Sequence, residues 1–530
     1  MRAAAAGVAA AVALALPGLA HATVAHDAAL ARRGVALALE RHWLKPVDAQ
    51  RYRSDIARAV RDTSALPPLR ARVIASQLSQ LTPLWSSYVA PRALTLFTQL
   101  EENMTYLETK SLPVQQIDVV DDDGVVYRWF PAKGFEFHPL ANFAALNLAA
   151  ARSDADVTGT LANALVARAI PHGPRLIWEY EFAFGIGRPP WASGMAQAVA
   201  AQALARAAAL LGDANIAAAA VRAFASVSPF LLRLPSGPWI RLYGFNGEVV
   251  LNAQLQAIVS LLEYAKSTES ADAASLAQQL DATAQKLLPR FDTGDWSRYE
   301  LGGGYASRSY QKFVTDLLKR LATTTGDPFW VQTAQRFHAY YYDPPQVTQP
   351  TPPAGIWPQP IDGYLDVAPI TISLSMRASV SLAIAGRVAT YRLGPGPHTL
   401  TWKPPADLPP GTYPVQVSAV SYAGHRGTVT LAPIVVQWDT TPPALTSASL
   451  AGTTLTWQAN DPGTPWLDLA VDLADPSGVN PPQTIALGKL PTAGSTTVAL
   501  PPGTWQATLR ATNSAQLTAT VLLGTFTQPG

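Results

Sequence analysis

Cysteine is absent from the 530 residues. That removes disulfide staples, thiolate zinc sites, iron–sulfur clusters and a cysteine nucleophile from consideration. Charge is scarce as well: 14% of residues are Asp, Glu, Lys or Arg, and 39 Lys+Arg against 37 Asp+Glu leave a formal net charge of +2. A nucleic-acid partner is not expected, because phosphate affinity is built from massed Lys and Arg. The eight His are scattered, so no metal site is expected either. What the chain has is apolar mass. With 48% hydrophobic and 9% aromatic residues it can build cores, and at roughly 150 residues per domain it has length for three or four.

Arg2 precedes an uncharged Ala/Val/Leu run, Ala3 to Leu16, which Pro17 and Gly18 interrupt before Ala20-His21-Ala22. A basic start, an apolar stretch and small residues around a cleavage point predict a secretory signal peptide, residues 1–22, cut after Ala22. An uncleaved anchor helix is the alternative. No later stretch reads as ~18 continuous apolar residues, so no membrane span is expected after cleavage and the mature protein is expected to be secreted or held at the cell envelope.

From Asp27 to Tyr342 the chain is rich in Ala, Leu, Gln and Arg with helical spacing. Leu251, Leu255, Ile258 and Leu262 form one stripe; Tyr310, Phe313/Val314, Leu317 and Leu321 form another, and Leu276, Leu280 and Leu287 a third. Gly/Pro-rich breaks at 185–190, 235–238, 291–304 and 326–328 separate them. The expectation is a mainly α domain over 23–343, built of stacked helical hairpins as in an α/α toroid. Inside it, Ile117 to Phe130 reads as a β-hairpin with an Asp/Gly turn, Asp121 to Gly124. Its three Asp lack the spacing of a calcium loop and read as a solvated turn.

Pro344 to Pro360 holds seven prolines in 17 residues, which predicts a stiff linker over 344–362. No Glu occurs after Glu300, and short alternating strands separated by Pro/Gly turns replace the helical pattern. Two all-β sandwiches, immunoglobulin- or fibronectin-like, are expected over 363–438 and 439–530.

Three tyrosine loops stand out. Pro235 to Glu248 carries Arg241 and Tyr243 and runs into a helix holding Asn252. Phe291 to Leu301 carries Arg298 and Tyr299. Ser307-Arg308-Ser309-Tyr310 opens what reads as the last helix. Loops between helices of a toroid line a common cleft, so the three tyrosines are expected to converge there. Trp178 to Glu181, and Glu136 with His138, could line a cleft or do acid–base work, but packing is the simpler reading of both.

Four segments resemble the D-glucuronyl C5-epimerases. Trp191-Ala192-Ser193-Gly194-Met195-Ala196-Gln197 resembles that family's Trp-Tyr-Ser-Ala-Met-Ala/Gly-Gln helix start, and Trp239-x-x-x-Tyr243 with Leu251-Asn252 its Trp-Tyr-Glu-Glu-Tyr-Pro loop and following Leu-Asn helix. Leu288-Pro289-Arg290-Phe291-Asp292-Thr293-Gly294 with Tyr299-Glu300-Leu301 resembles its Asp-Thr-Gly and Tyr-Asp-Leu pattern, and the Tyr310 helix its closing Tyr-His helix. The resemblance spans about residues 175 to 342. It departs at Leu242 (Glu in the family), Gly302 (Arg) and Gln311 (His).

The resemblance implies inversion at C5 of glucuronate in a heparosan-type polysaccharide, without an organic cofactor, with Tyr243, Tyr299 and Tyr310 as catalytic tyrosines. A phenol suits a weakly acidic C–H if a neighbouring Arg lowers its pKa. Charge building on the substrate carboxylate needs fixed cations or amides, for which Arg241, Arg298, Arg308 and Asn252 are candidates; Trp191 and Gln197 join them as substrate-binding candidates. A uronic-acid-containing polysaccharide is the expected partner, and a homodimer is compatible with this reading. The alternatives are a non-catalytic glycan-binding or cell-wall protein and a uronate lyase on the same scaffold.

Overall fold

In the computed structural model, which describes residues 17–529 with side chains from Thr23 onward, prolines and short polar caps set where helices begin. The segment 1–16, most of the expected signal peptide, lies outside the described residues. Twelve α-helices occur among the described residues: α1 (Pro17–Glu40), α2 (Pro46–Ala65), α3 (Pro68–Leu81), α4 (Ala90–Thr109), α5 (Pro139–Ala151), α6 (Ala155–Ala167), α7 (Gly194–Leu211), α8 (Ala214–Ala225), α9 (Leu251–Thr268), α10 (Ala271–Phe291), α11 (Arg308–Thr325) and α12 (Pro328–Tyr342). Proline opens α2, α3, α5 and α12, where a missing N–H leaves no bond unmade. Asp154, Ser193, Asp213, Ser270 and Ser307 cap α6, α7, α8, α10 and α11 through their side-chain oxygens. Gly212 and Gly326 end α7 and α11 in the left-handed conformation.

The chain divides into two compact units between Tyr341 and Tyr342. In the first, consecutive helices pack in pairs, and α9 is the hub, packed by α7, α10 and α11. The apolar stripe read from sequence is its buried side, with Leu251, Leu255 and Ile258 fully enclosed. Two expectations change. The Tyr310 helix is the penultimate one, because Pro328 restarts the chain as α12, whose Trp330, Phe337 and Tyr340 are buried. And α7 is long and apolar enough to cross a membrane by length and composition; its Ala-rich surface is instead mostly buried against α5, α8 and α9, because small side chains let three helices approach it at once.

Short strands punctuate the helices: β1 (Asp118–Val120), β2 (Val126–Phe130) and β3 (Gly134–Phe137), then β4 (Ile170–His172) with β5 (Arg175–Ile177), β6 (Glu179–Tyr180) with β7 (Trp191–Ala192), and β8 (Leu231–Leu234) with β9 (Gly237–Ile240). The expected hairpin thus gains a third strand. Asp121 builds its turn: Oδ1 accepts from the amides of Asp123 and Val125, and Oδ2 from Tyr127 Oη. Pro235 and Ser236 of the 235–238 break form the turn of the β8–β9 hairpin.

The second unit is β throughout. Its first part has β10 (Val347–Thr348), β11 (Ala368–Leu374), β12 (Ala378–Ile384), β13 (Arg387–Leu393), β14 (Gly396–Trp402), β15 (Gly411–Val420) and β16 (Arg426–Val436), in sheets ordered β10-β11-β14 and β13-β12-β15-β16. Alternate residues of both sheets, Ile370, Ile372, Val380, Leu382, Val415 and Val417, share one core. The second part repeats the plan with β17 (Ala444–Ala451), β18 (Thr454–Asn460), β19 (Trp466–Ala474), β20 (Gln483–Pro491), β21 (Ala493–Thr497), β22 (Gly503–Thr512) and β23 (Thr518–Gln528), ordered β17-β18-β21 and β20-β19-β22-β23. The proline-rich stretch is not a free linker. Val347 pairs with Leu374, and Ile356 is fully buried and donates its amide to Val435 O at 3.0 Å. The apolar residues between the prolines tie it to the sheets, and proline is tolerated because the pairing is at an edge.

Candidate active site

Each tyrosine of interest sits where a loop is fastened to a helix start. The Tyr243 loop leaves β9 and is held by Arg241 N to Phe230 O and Gly244 N to Ala192 O, both 2.8 Å. A Cβ at Gly244 would meet Ala192 O at 2.7 Å, so that approach needs glycine. The Tyr299 loop folds on itself through the Asp292-Thr293-Gly294 turn. Asp292 Oδ1 accepts from Gly294 N at 2.9 Å and from Tyr340 Oη at 3.1 Å, and Oδ2 pairs with Arg336. Trp296 Nε1 donates to Ala306 O, Ser297 N to Gln311 Oε1, and Leu301 N to Val249 O. The last bond brings the Tyr299 loop against the Tyr243 loop just before α9. Tyr310 lies in the first turn of α11, its amide capped by Ser307 Oγ.

The three rings meet. Tyr243 Oη and Tyr299 Oη are 3.4 Å apart. The Tyr299 and Tyr310 rings meet edge-on with centroids 4.9 Å apart. Tyr310 Oη donates to Tyr299 O and accepts from Asn252 N, each at 3.1 Å. Phe245 stacks on Tyr243 at 5.5 Å, Phe184 lies at the same distance, and Trp191 closes the back at 5.9 Å. Asn252 Oδ1 and Arg241 Nε are buried with no hydrogen-bond partner in the protein.

Electrostatics differ from expectation. All three phenols are held above their ordinary value of 10.0, chiefly by burial. For Tyr243, the hydrogen bond with Tyr299 works against that rise and Glu248 adds to it. For Tyr299, burial is followed by the neighbouring Tyr243 and Tyr310 phenols and Glu248. For Tyr310, the Asn252 amide offsets part of the effect. No arginine lowers them, because the guanidinium groups are turned to other partners. Arg298 donates to Gly303 O within its own loop, Arg308 lies over the Tyr341 ring at 5.4 Å, and Arg241 donates to Asn246 O at 3.2 Å.

Two binding candidates are enclosed by the protein. Gln197 is fully buried, bonded through its carboxamide to the Trp178 backbone at N and O and to Ser226. Trp191 is buried against Tyr180, rings parallel at 4.1 Å, and donates its indole N–H to Phe182 O. Packing is also what the structure shows for the two acidic motifs. Glu179 and Glu181 enclose Arg92. Glu136 accepts from the amides of Gln77, Gln80 and Gln99, and His138 caps α5. Phe184, Phe245 and Glu248 were not singled out by sequence reasoning. Phe245 and Glu248 lie in the Tyr243 loop, so their proximity was available as a signal; Phe184 reaches the site from the loop between β6 and β7.

Residues 172–339 match the family model described as the D-glucuronyl C5-epimerase C-terminus. The match takes in all three tyrosines and every loop that holds them, and it supports a C5-epimerase-like function, an isomerase in kind. No curated protein sequence matches the chain. Among solved structures, a GH76 α-mannanase of Bacteroides thetaiotaomicron aligns at 12% identity and a TM-score of 0.31, over 39% of this chain and 61% of that one. Endoglucanase Cel10 of Klebsiella pneumoniae, a family 8 glycosyl hydrolase, aligns at 14% identity and 0.31, over 40% and 73%. The fibronectin(III)-like modules of Clostridium thermocellum CbhA align at 16% identity and 0.17, over 33% and 91%.

Proposed function

We propose that this protein is an exported uronosyl C5-epimerase that inverts C5 of glucuronate-type residues within a polysaccharide. The observation that carries the reading is the convergence of the Tyr243, Tyr299 and Tyr310 side chains inside the segment that matches the epimerase family. Inversion needs one group to remove the C5 proton and a second to return one on the opposite face. In the proposed reaction one phenolate takes the proton and the C–H electron pair passes into the carboxylate as an enolate. A phenol then protonates the other face, so one C–H bond breaks, one forms, and nothing is oxidised. Arg241 Nε and Asn252 Oδ1, buried without a hydrogen-bond partner in the protein, are the candidates for the substrate carboxylate and a sugar hydroxyl. Around this site the helical hairpins would form an α/α toroid. The two β modules would be immunoglobulin-like and act as spacers or glycan contacts. Arg2, the Ala3–Leu16 run and Ala20-His21-Ala22 support export.

Deuterium incorporation at C5 of a heparosan-type polymer in D2O tests the reading. The wild-type protein is expected to exchange, and Tyr243→Phe or Tyr299→Phe to lower the rate about 10²- to 10⁴-fold. Folded wild-type protein that exchanges no uronan overturns it. New absorbance from an unsaturated uronate would assign a lyase instead, and polymer binding without turnover that survives both substitutions would assign a glycan-binding protein.

A further inference from the structure

The two β modules share one plan and differ in charge. Residues 363–438 hold five Lys or Arg and two Asp, whereas residues 439–530 hold two Lys or Arg and five Asp. In the first module part of the surplus stands on one face. Antiparallel register sets Arg392, Ser379, Val420 and Arg426 in one row across β13-β12-β15-β16. Thr390, Ser381, Ser418 and Thr428 form the next row, and Val388, Ala383, Gln416 and Thr430 a third. These positions alternate with the core residues Val380, Leu382, Val417 and Ala419, and so face outward. Ser381 and Ala383 on β12 are small, and the face holds an open trough of about 420 Å³ lined by Ser381, Gln416, Ser418, Thr428 and Thr430. No strand from β11 to β16 carries Asp or Glu. Arg426 donates to Ser418 Oγ at 2.9 Å, which holds its guanidinium beside the hydroxyl row.

The corresponding face of the second module, on β20-β19-β22-β23, cancels its charge. Asp472 pairs with Arg510 at 2.7 Å, and Asp468 stands opposite Lys489. On the first module, hydroxyls in a row can both donate to and accept from sugar hydroxyls, and a guanidinium matches a carboxylate in a two-point contact. The three rows contain no aromatic residue, so the face selects by charge rather than by ring stacking. Each exposed contact is weak, and the face matters most for a long chain that a second site on the same molecule already holds. We propose that this outer face of the first β module binds a uronic-acid polymer, with carboxylates at Arg392 and Arg426 and sugar hydroxyls along the hydroxyl row. The choice of a uronate polymer as the anion rests on the epimerase reading above; the cationic face free of carboxylates stands without it.

The experiment measures binding of heparosan-type polymer to the full-length protein by titration calorimetry over a salt series. The double variant Arg392→Gln/Arg426→Gln should bind about tenfold more weakly than wild type at about 50 mM salt, with a flatter salt dependence. Ser381→Glu, which sets a carboxylate in the hydroxyl row, should weaken binding as well, and Arg510→Gln on the second module should not. A folded double variant that binds polymer as tightly as wild type overturns the proposal, as does equal affinity of the wild type for a neutral glucan. Duplex DNA held as tightly as the uronan at equal salt would assign a general polyanion surface and overturn the choice of ligand. C5 deuterium exchange in the same samples keeps the two readings apart. Absence of exchange with Arg-dependent binding intact overturns the epimerase reading alone, and exchange with unchanged affinity in the double variant overturns the binding face alone.

Discussion

A buried phenol is a strong base once ionised and a rarely ionised one at neutral pH, and this chain has three together. Because no guanidinium reaches them, burial holds Tyr243, Tyr299 and Tyr310 above 10.0. If a phenolate starts the reaction, the fraction of active protein grows about tenfold per pH unit below that value. The exchange rate is therefore expected to climb from neutral pH to about pH 10 without a plateau. Stability has the opposite sign. A folded pKa above the unfolded value contributes stability that is fully present below pH 10.0 and is lost as pH rises toward the folded pKa. Rate and thermal midpoint measured along one pH series should diverge above about 10; a rate that levels off near neutral pH would point to a different base.

At the scale of elements, what fixes the site is the fastening of loops to helix starts. The Asp-Thr-Gly turn was legible as a motif, but its partners Arg336 and Tyr340 lie on α12, more than forty residues away. The β1–β2–β3 sheet has a comparable fastening. Glu136 on β3 takes amide donors from Gln77 and Gln80 on α3 and Gln99 on α4. Burial outweighs those donors and raises its carboxyl from 4.5 to about 8. The sign follows as for the phenols: stability is fully present below pH 4.5 and is lost as pH rises through about 8. Unfolding followed from pH 4 to 9, roughly that window, should show this decline. Glu136→Gln should flatten the slope, and an unchanged slope would remove Glu136 as its source.

For the whole molecule, the low net charge of +2 conceals a division. All Glu lie at or before position 300, in the helical unit that also holds the three tyrosines and their supports, and the β unit builds separate cores from alternating strands. A chain ending at Asp343 is accordingly expected to keep C5 exchange within about threefold of the full protein on short oligosaccharides, with any loss confined to long polymer. Complete loss of exchange in that folded truncation would assign part of the site to the β unit.

The change from helical to β pattern near residue 343, the helix stripes and the convergence of three tyrosine loops were legible because each rests on local spacing or on motif order. Periodicity decides which face of a helix is buried, and glycine and proline decide where it stops. The sequence could not show where the long side chains of Arg241, Arg298 and Arg308 turn, although each stands within two residues of a tyrosine. A guanidinium on a flexible stem takes whichever carbonyl or ring the fold brings near. Tertiary structure likewise made Gln197 a buried clasp and Trp191 a wall, set the proline-rich stretch against a sheet edge, and gave Tyr310 two backbone partners while leaving the Tyr243 and Tyr299 hydroxyls to each other. Those outcomes depend on contacts between segments distant in sequence, and only the folded packing fixes them.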